Sequence, residues 1–182
     1  MRGILFFVLM ILTVPALNAQ KRLAVGMKAP DFTLPYATKD TIVYGGIRLS
    51  DYRGNSIVLL AFYPADWSGG CTREVCTFRD NFSRLSSLNA EVLGISGDYV
   101  FSHHEWALHH NLPFKLLSDH SHEVAKRYGS FHDESGFNKR MVFVIDTTGT
   151  IVYIDGEYDT RNDDSFMKLQ KTMELIHRRM NE

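Results

Sequence analysis

Two cysteines, Cys71 and Cys76, are the only thiols in a chain of 182 residues, and they stand five positions apart. Before them an apolar run, Ile57 to Phe62, ends at Pro64, and the chain then passes through Ser68-Gly69-Gly70. From Cys71 onward Val75, Phe78, Phe82 and Leu85 recur at the spacing of a buried helical face, with Arg73, Asp80, Ser83 and Ser87 on the polar side. This pattern puts Cys71 at a helix N-terminus, facing the core. The first-turn N–H groups lack intrahelical partners and the helix dipole is positive there, so both favour a thiolate. A cysteine so placed can fall from about 8.5 to between ~3.5 and ~7.5. The plainer reading is a buried cysteine acting as a small hydrophobe. The glycine pair, the cap position and the second cysteine together favour a reactive thiol.

Five helical residues correspond to about 140° of rotation and about 7.5 Å of rise, which sets the two Cα atoms ~8–9 Å apart. That exceeds the ~7 Å limit for a disulfide without backbone movement. Cys76 is therefore either an incidental residue beside Arg73 and Asp80 or a resolving thiol that meets Cys71 when the first turn unwinds. Ser68, Gly69 and Gly70 make that unwinding inexpensive, because glycine accepts almost any backbone conformation.

The segment Pro64-x-x-x-Ser68-x-x-Cys71, followed by Thr72-x-Glu74 and Phe78-Arg79-Asp80, resembles the active-site segment of peroxiredoxins. It is most similar to the bacterioferritin-comigratory (Q-type) branch of the alkyl hydroperoxide reductase/thiol-specific antioxidant family. About a dozen positions match in register, both cysteines included. Ser68 stands where that branch usually has threonine, Gly69 where proline is common and Trp67 where aspartate is common. The resemblance implies Cys71 as the peroxidatic thiol and Cys76 as the resolving one. Ser68 and Arg140 are then donors to the peroxide, and Pro64 shields the sulfur. Arg140 opens Arg140-Met141-Val142-Phe143-Val144-Ile145-Asp146, similar to the family strand whose arginine points at the reactive sulfur; taken alone it would read as a surface arginine opening an edge strand.

The elements that must hold these residues follow in order. Residues 1–19 read as a signal peptide: Arg2, an apolar run from Ile4 to Val14, Pro15, then Ala16-Leu17-Asn18-Ala19. That run is too short to span a bilayer, which needs ~20 residues. Export is thus expected, to a bacterial periplasm, with no stable membrane association after cleavage. Residues 20–182 form one domain. With 45% hydrophobic and 23% charged residues and a net charge of −1, the chain has no footprint for nucleic acid. Ile57–Phe62 and Val92–Ser96 read as central strands, and Arg140–Asp146 with Ile151–Ile154 as a hairpin. Helices are expected over Phe101–Asn111 and after Asp163-Asp164, the latter burying Phe166, Leu169, Met173 and Ile176. His103, His104, His109 and His110 lack the i,i+4 spacing of a helical metal site and read as a solvated face. His120 and His122 read as structural.

Strand–helix alternation with a hairpin and closing helix predicts an α/β, thioredoxin-like fold: a central mixed β-sheet flanked by helices. With the resemblance, the expected activity is a thiol-dependent peroxidase with no metal, flavin or nucleotide. It would be reduced by a thioredoxin-like protein and act as a monomer or weak dimer. Two alternatives share the fold. An exported disulfide oxidoreductase would want Cys-x-x-Cys and a proline just before the strand at Arg140, and no proline stands there. A copper-binding module would want Cys-x-x-x-Cys and a downstream histidine.

Overall fold

The computed structural model describes residues 22–181. At its centre lies β3 (Ile57–Phe62), all six residues of which are buried. Side chains alternate across a strand, so Ile57, Leu59 and Ala61 enter one core and Val58, Leu60 and Phe62 the other. A strand covered on both faces can afford no polar position, hence its unbroken apolar run.

β1 (Thr33–Ala37) and β2 (Ile42–Arg48) precede it, followed by a 3-10 turn at Leu49–Tyr52. After it come α1 (Gly69–Asp80), α2 (Phe82–Ser87), β4 (Ala90–Ser96), α3 (Val100–His109), β5 (Lys115–Ser118) and α4 (Glu123–Tyr128). A small hairpin, β6 (Phe131–His132) and β7 (Phe137–Asn138), leads to β8 (Met141–Ile145), β9 (Ile151–Asp155) and α5 (Asp164–Asn181). The main sheet runs β2-β1-β5-β4-β3-β8-β9. Its middle strands β5, β4 and β3 are parallel, and the flanking pairs are antiparallel. α1, α2, α3 and α5 cover one face through Val75, Phe78, Leu85, Trp106, Leu169 and Met173. α4 covers the other through Val124, Ala125 and Tyr128. Among the described residues no helix is long and apolar enough to cross a membrane. The expected signal segment, 1–19, lies outside the described residues.

Two expectations change. The helix predicted from Cys71 through Leu85 is two helices that meet at Asn81, and the first begins at Gly69. At the junction Asn81 leaves helical geometry (φ −106°, ψ 10°), and its backbone N–H and side-chain amide both donate to the Thr77 carbonyl, at 3.2 and 2.9 Å. The histidines of α3 are not a common solvated face. His103 is fully buried and follows the same phase as Trp106 and Ala107, whereas His109 lies on the surface.

Candidate active site

Ser68 precedes α1 in extended conformation, and Cys71 is the third helical residue. Thr72 N–H closes the first turn onto the Ser68 carbonyl at 2.8 Å, leaving the amides before it, Cys71 included, among the unpaired donors of the helix start. Cys71 is completely buried against β3, with Val75 and Phe78 below it on the same face. Arg140, just before β8, reaches across the adjacent strand, and its Nη2 donates to Cys71 Sγ at 3.3 Å. The register that pairs Phe62 with Met141 brings the two ends together. Gly70 keeps the passage open, because a Cβ there would lie 3.2 Å from Arg140 Nη2.

Glu74 is the residue the sequence reading did not single out. It is buried, pairs with Arg140 Nη1 through Oε2, and leaves Oε1 without a hydrogen-bond partner. Its position three after Cys71 and four before Phe78 puts a carboxylate on the apolar stripe, which was the available signal. Burial, only partly offset by Arg140, pushes the Glu74 carboxyl up to about 7. Burial also works against the Arg140 cation, yet the charges of Glu74 and Cys71 and their hydrogen bonds hold its pKa above the ordinary value.

The loop before α1 is pinned by a buried polar network. Asp66 accepts from Tyr63 Oη at 2.8 Å, from Ser102 Oγ at 2.7 Å and meets His103 Nδ1 at 2.9 Å. His103 Nε2 lies 3.1 Å from the Leu117 carbonyl, and Asp66 N–H donates to Asp98 at 2.9 Å. Trp67 takes a left-handed backbone (φ 62°) with its indole N–H on Ser102 Oγ at 3.2 Å. These side chains fix the loop that a proline at position 69 would otherwise stiffen.

The structure therefore brings Cys71 and Arg140 together and adds Glu74. Ser68 is exposed, and its hydroxyl donates to the Ala65 carbonyl at 3.2 Å. Pro64 is half-buried at the end of β3. Cys76 lies further along the intact α1 as a second free thiol, its Sγ 3.9 Å from His110 Nδ1. A guanidinium and unpaired amides around a buried sulfur can stabilise negative charge there and donate to an incoming oxygen.

A family model described as AhpC/TSA family matches residues 25–154. The chain belongs to the AhpC/TSA family. It is a peroxiredoxin of the Bcp/peroxiredoxin Q branch, and with that a thiol-dependent peroxidase. It is 42% identical over 133 residues to the putative peroxiredoxin bcp of Coxiella burnetii, covering 70% of this chain and 84% of that one. With peroxiredoxin Bcp of Bacillus subtilis it shares 37% over 134 residues, covering 70% and 82%. Among solved structures, peroxidoxin BcpB from Mycobacterium tuberculosis aligns with a TM-score of 0.72 at 31% identity, over 84% of this chain and 97% of that one. The thioredoxin-like fold is that of these peroxiredoxins. Neither alternative, disulfide oxidoreductase or copper module, is supported.

The expected export to a bacterial periplasm is corrected by the same relatives: the Bcp peroxiredoxins of Coxiella burnetii and Bacillus subtilis give it no support. The apolar run on which that expectation rested lies outside the residues that this peroxiredoxin shares with its family model.

Proposed function

We propose that Cys71 attacks the peroxide as a thiolate, with Arg140, the Cys71 amide and the Ser68 hydroxyl as donors and Pro64 as shield. The sulfur takes the distal oxygen, the O–O bond breaks, and the leaving hydroxide or alkoxide is protonated. Cys71 is then a sulfenic acid. Cys76 displaces its hydroxyl to give an intramolecular disulfide and water, and a thioredoxin-like dithiol reduces that disulfide by exchange. The observation that carries this reading is the 3.3 Å contact from Arg140 Nη2 to Cys71 Sγ at the start of α1. Ser68 must turn from the Ala65 carbonyl to meet a bound peroxide, a rotation of one exposed side chain. The chemistry calls for no metal, flavin or nucleotide, and a monomer or weak dimer suffices, as sedimentation would test.

Adding one equivalent of hydrogen peroxide to the reduced protein and counting thiols tests the roles directly. Loss of both thiols is expected in the unmodified protein, of one in Cys76→Ser and of none in Cys71→Ser. Unchanged thiols in the unmodified protein would refute the reading.

A further inference from the structure

The reading of Cys76 as the resolving thiol leaves one requirement unmet. The nucleophile in disulfide formation is a thiolate, yet burial pushes the Cys76 thiol up, with Arg79 opposing only in part. Cys76 therefore needs a group to take its proton. We propose that His110 is the base that deprotonates Cys76 for the resolving step, an inference that rests on the proposed role of Cys76.

The geometry is specific. His110 caps the C-terminus of α3, and its Nδ1 lies 3.9 Å from Cys76 Sγ. Its backbone is held from both helices: its N–H donates to Trp106 O at 3.1 Å, and its carbonyl accepts from Arg79 Nη1 at 2.9 Å. Its ring stands edge-on to His109 at 4.7 Å and to Trp106 at 6.0 Å, with Trp67 at 6.5 Å. The titratable and charged groups facing the pair are Arg79 and Asp80 from α1 and His109 from α3. Burial, His109 and Arg79 hold the His110 pKa below the ordinary imidazole value, which favours the neutral ring, and Nδ1 of that ring can accept when Nε2 carries the hydrogen.

The step balances. The Cys76 proton moves to His110 Nδ1, and the thiolate attacks the Cys71 sulfenic sulfur. The S–S bond forms, the S–O bond breaks, and the leaving hydroxide recovers the proton from the imidazolium. Disulfide and water result, and His110 is neutral again. His110 belongs to α3 and not to α1, so it stays in place while the first turns of α1 open.

Stopped-flow tryptophan fluorescence after one equivalent of hydrogen peroxide separates oxidation of Cys71 from disulfide formation. In His110→Asn the second phase is expected to slow at least tenfold at pH 7 and to climb with pH toward the thiol's own ionisation. In the unmodified protein it levels off at lower pH. Added imidazole should restore part of the rate in His110→Ala. A second phase in both variants within twofold of the unmodified protein, with the same pH profile, would overturn the proposal. So would an unmodified protein whose second phase keeps rising tenfold per pH unit through the imidazole range, a measurement that needs no variant. Absence of any disulfide in the unmodified protein removes the resolving role of Cys76 and this proposal with it. A disulfide that forms regardless of His110 removes the proposal alone.

Discussion

Replacing Arg140 by methionine separates what the guanidinium does for the reaction from what it does for the fold. At 3.3 Å from Cys71 Sγ, a unit charge is worth about 5 kcal/mol at an effective dielectric near 20. The Arg140 side chain is 18% exposed, so water screens part of that field. Only the share gained in the transition state counts toward rate. Loss of one such donor typically costs about 2.7–4 kcal/mol, or ~10²–10³ in rate. The same substitution leaves Glu74 buried with neither oxygen paired to a cation. Breaking a buried pair usually costs ~3–5 kcal/mol, and Glu74 can limit the loss by taking up a proton. Because its carboxyl already sits at about 7, above the usual 4.5, its contribution is fully present below about pH 4.5 and is lost as pH rises through 7. Removing Arg140 takes away what lowers that carboxyl and moves its titration above 7, so Arg140→Met should be more destabilised at pH 8 than at pH 6, by up to about 1.4 kcal/mol per pH unit. Adding Glu74→Gln should recover most of the stability and none of the rate. Urea denaturation at the two pH values gives the first quantity, and the second-order rate of Cys71 oxidation by hydrogen peroxide gives the second. A single variant within threefold of the parent rate, or a double variant that regains activity, would refute the assignment of Arg140 to the reacting sulfur.

Three further outcomes are expected. Cys76→Ser should oxidise once at the parent rate and then stall, with a sulfenic acid at Cys71 that a dimedone adduct reveals by mass. His103→Asn deprives the buried Asp66 carboxylate of one partner, a loss of about 1.5–3 kcal/mol. Tm should fall by about 3–12 °C in calorimetry at 2–4 °C per kcal/mol, and Cys71 oxidation should slow as the loop at Asp66 loosens. Gly70→Ala should split the two properties: alanine favours the helix by up to about 1 kcal/mol, while its Cβ 3.2 Å from Arg140 Nη2 displaces the guanidinium. Stability equal or higher with slower oxidation is the expected pair. Oxidation at the parent rate would mean that Arg140 has room to spare.

The sheet was legible because β3 is apolar without interruption and covered on both faces, and the apolar stripe of α5 was legible for the complementary reason that only one side is buried. Cys71 was picked out by its place at a helix start, and Arg140 by the resemblance of its strand to that of the family. Their contact depends on the pairing of Phe62 with Met141, which no local pattern encodes. Glu74 and His103 were missed because each is a polar residue on a buried face whose partner lies far off in sequence: Arg140 for one and Asp66 for the other. A charged or titratable group in phase with an apolar stripe is a visible signal that something elsewhere must satisfy it. The break at Asn81 had no such signal, since asparagine there uses its side chain on the Thr77 carbonyl and nothing in the neighbouring sequence forces it to.

The structure also bears on how two thiols on one intact helix can meet. Asp66 anchors the loop before α1 through Tyr63, Ser102, His103 and Asp98, so opening must begin after it, at Ser68-Gly69-Gly70. Phe78 is fully buried against Tyr158 and Phe166 and resists release at the other end. Fully exposing such a side chain costs about 1.5–3 kcal/mol. The stretch that can unwind cheaply is thus Gly69 to Val75, and within it the strongest restraints are Cys71 and Glu74, both held by Arg140. In the proposed cycle oxidation weakens one of them, because the attacking thiolate offers the guanidinium a charge and the neutral sulfenic acid does not. The first turn is therefore expected to be more stable in the reduced protein than in the sulfenic form. Amide exchange at Thr72, which donates to the Ser68 carbonyl at 2.8 Å, reports that turn. In Cys76→Ser, where no disulfide can follow, peroxide should speed exchange at Thr72 and leave Asn81 unchanged. Equal protection at Thr72 before and after oxidation would show that the sulfur's charge does not hold the turn.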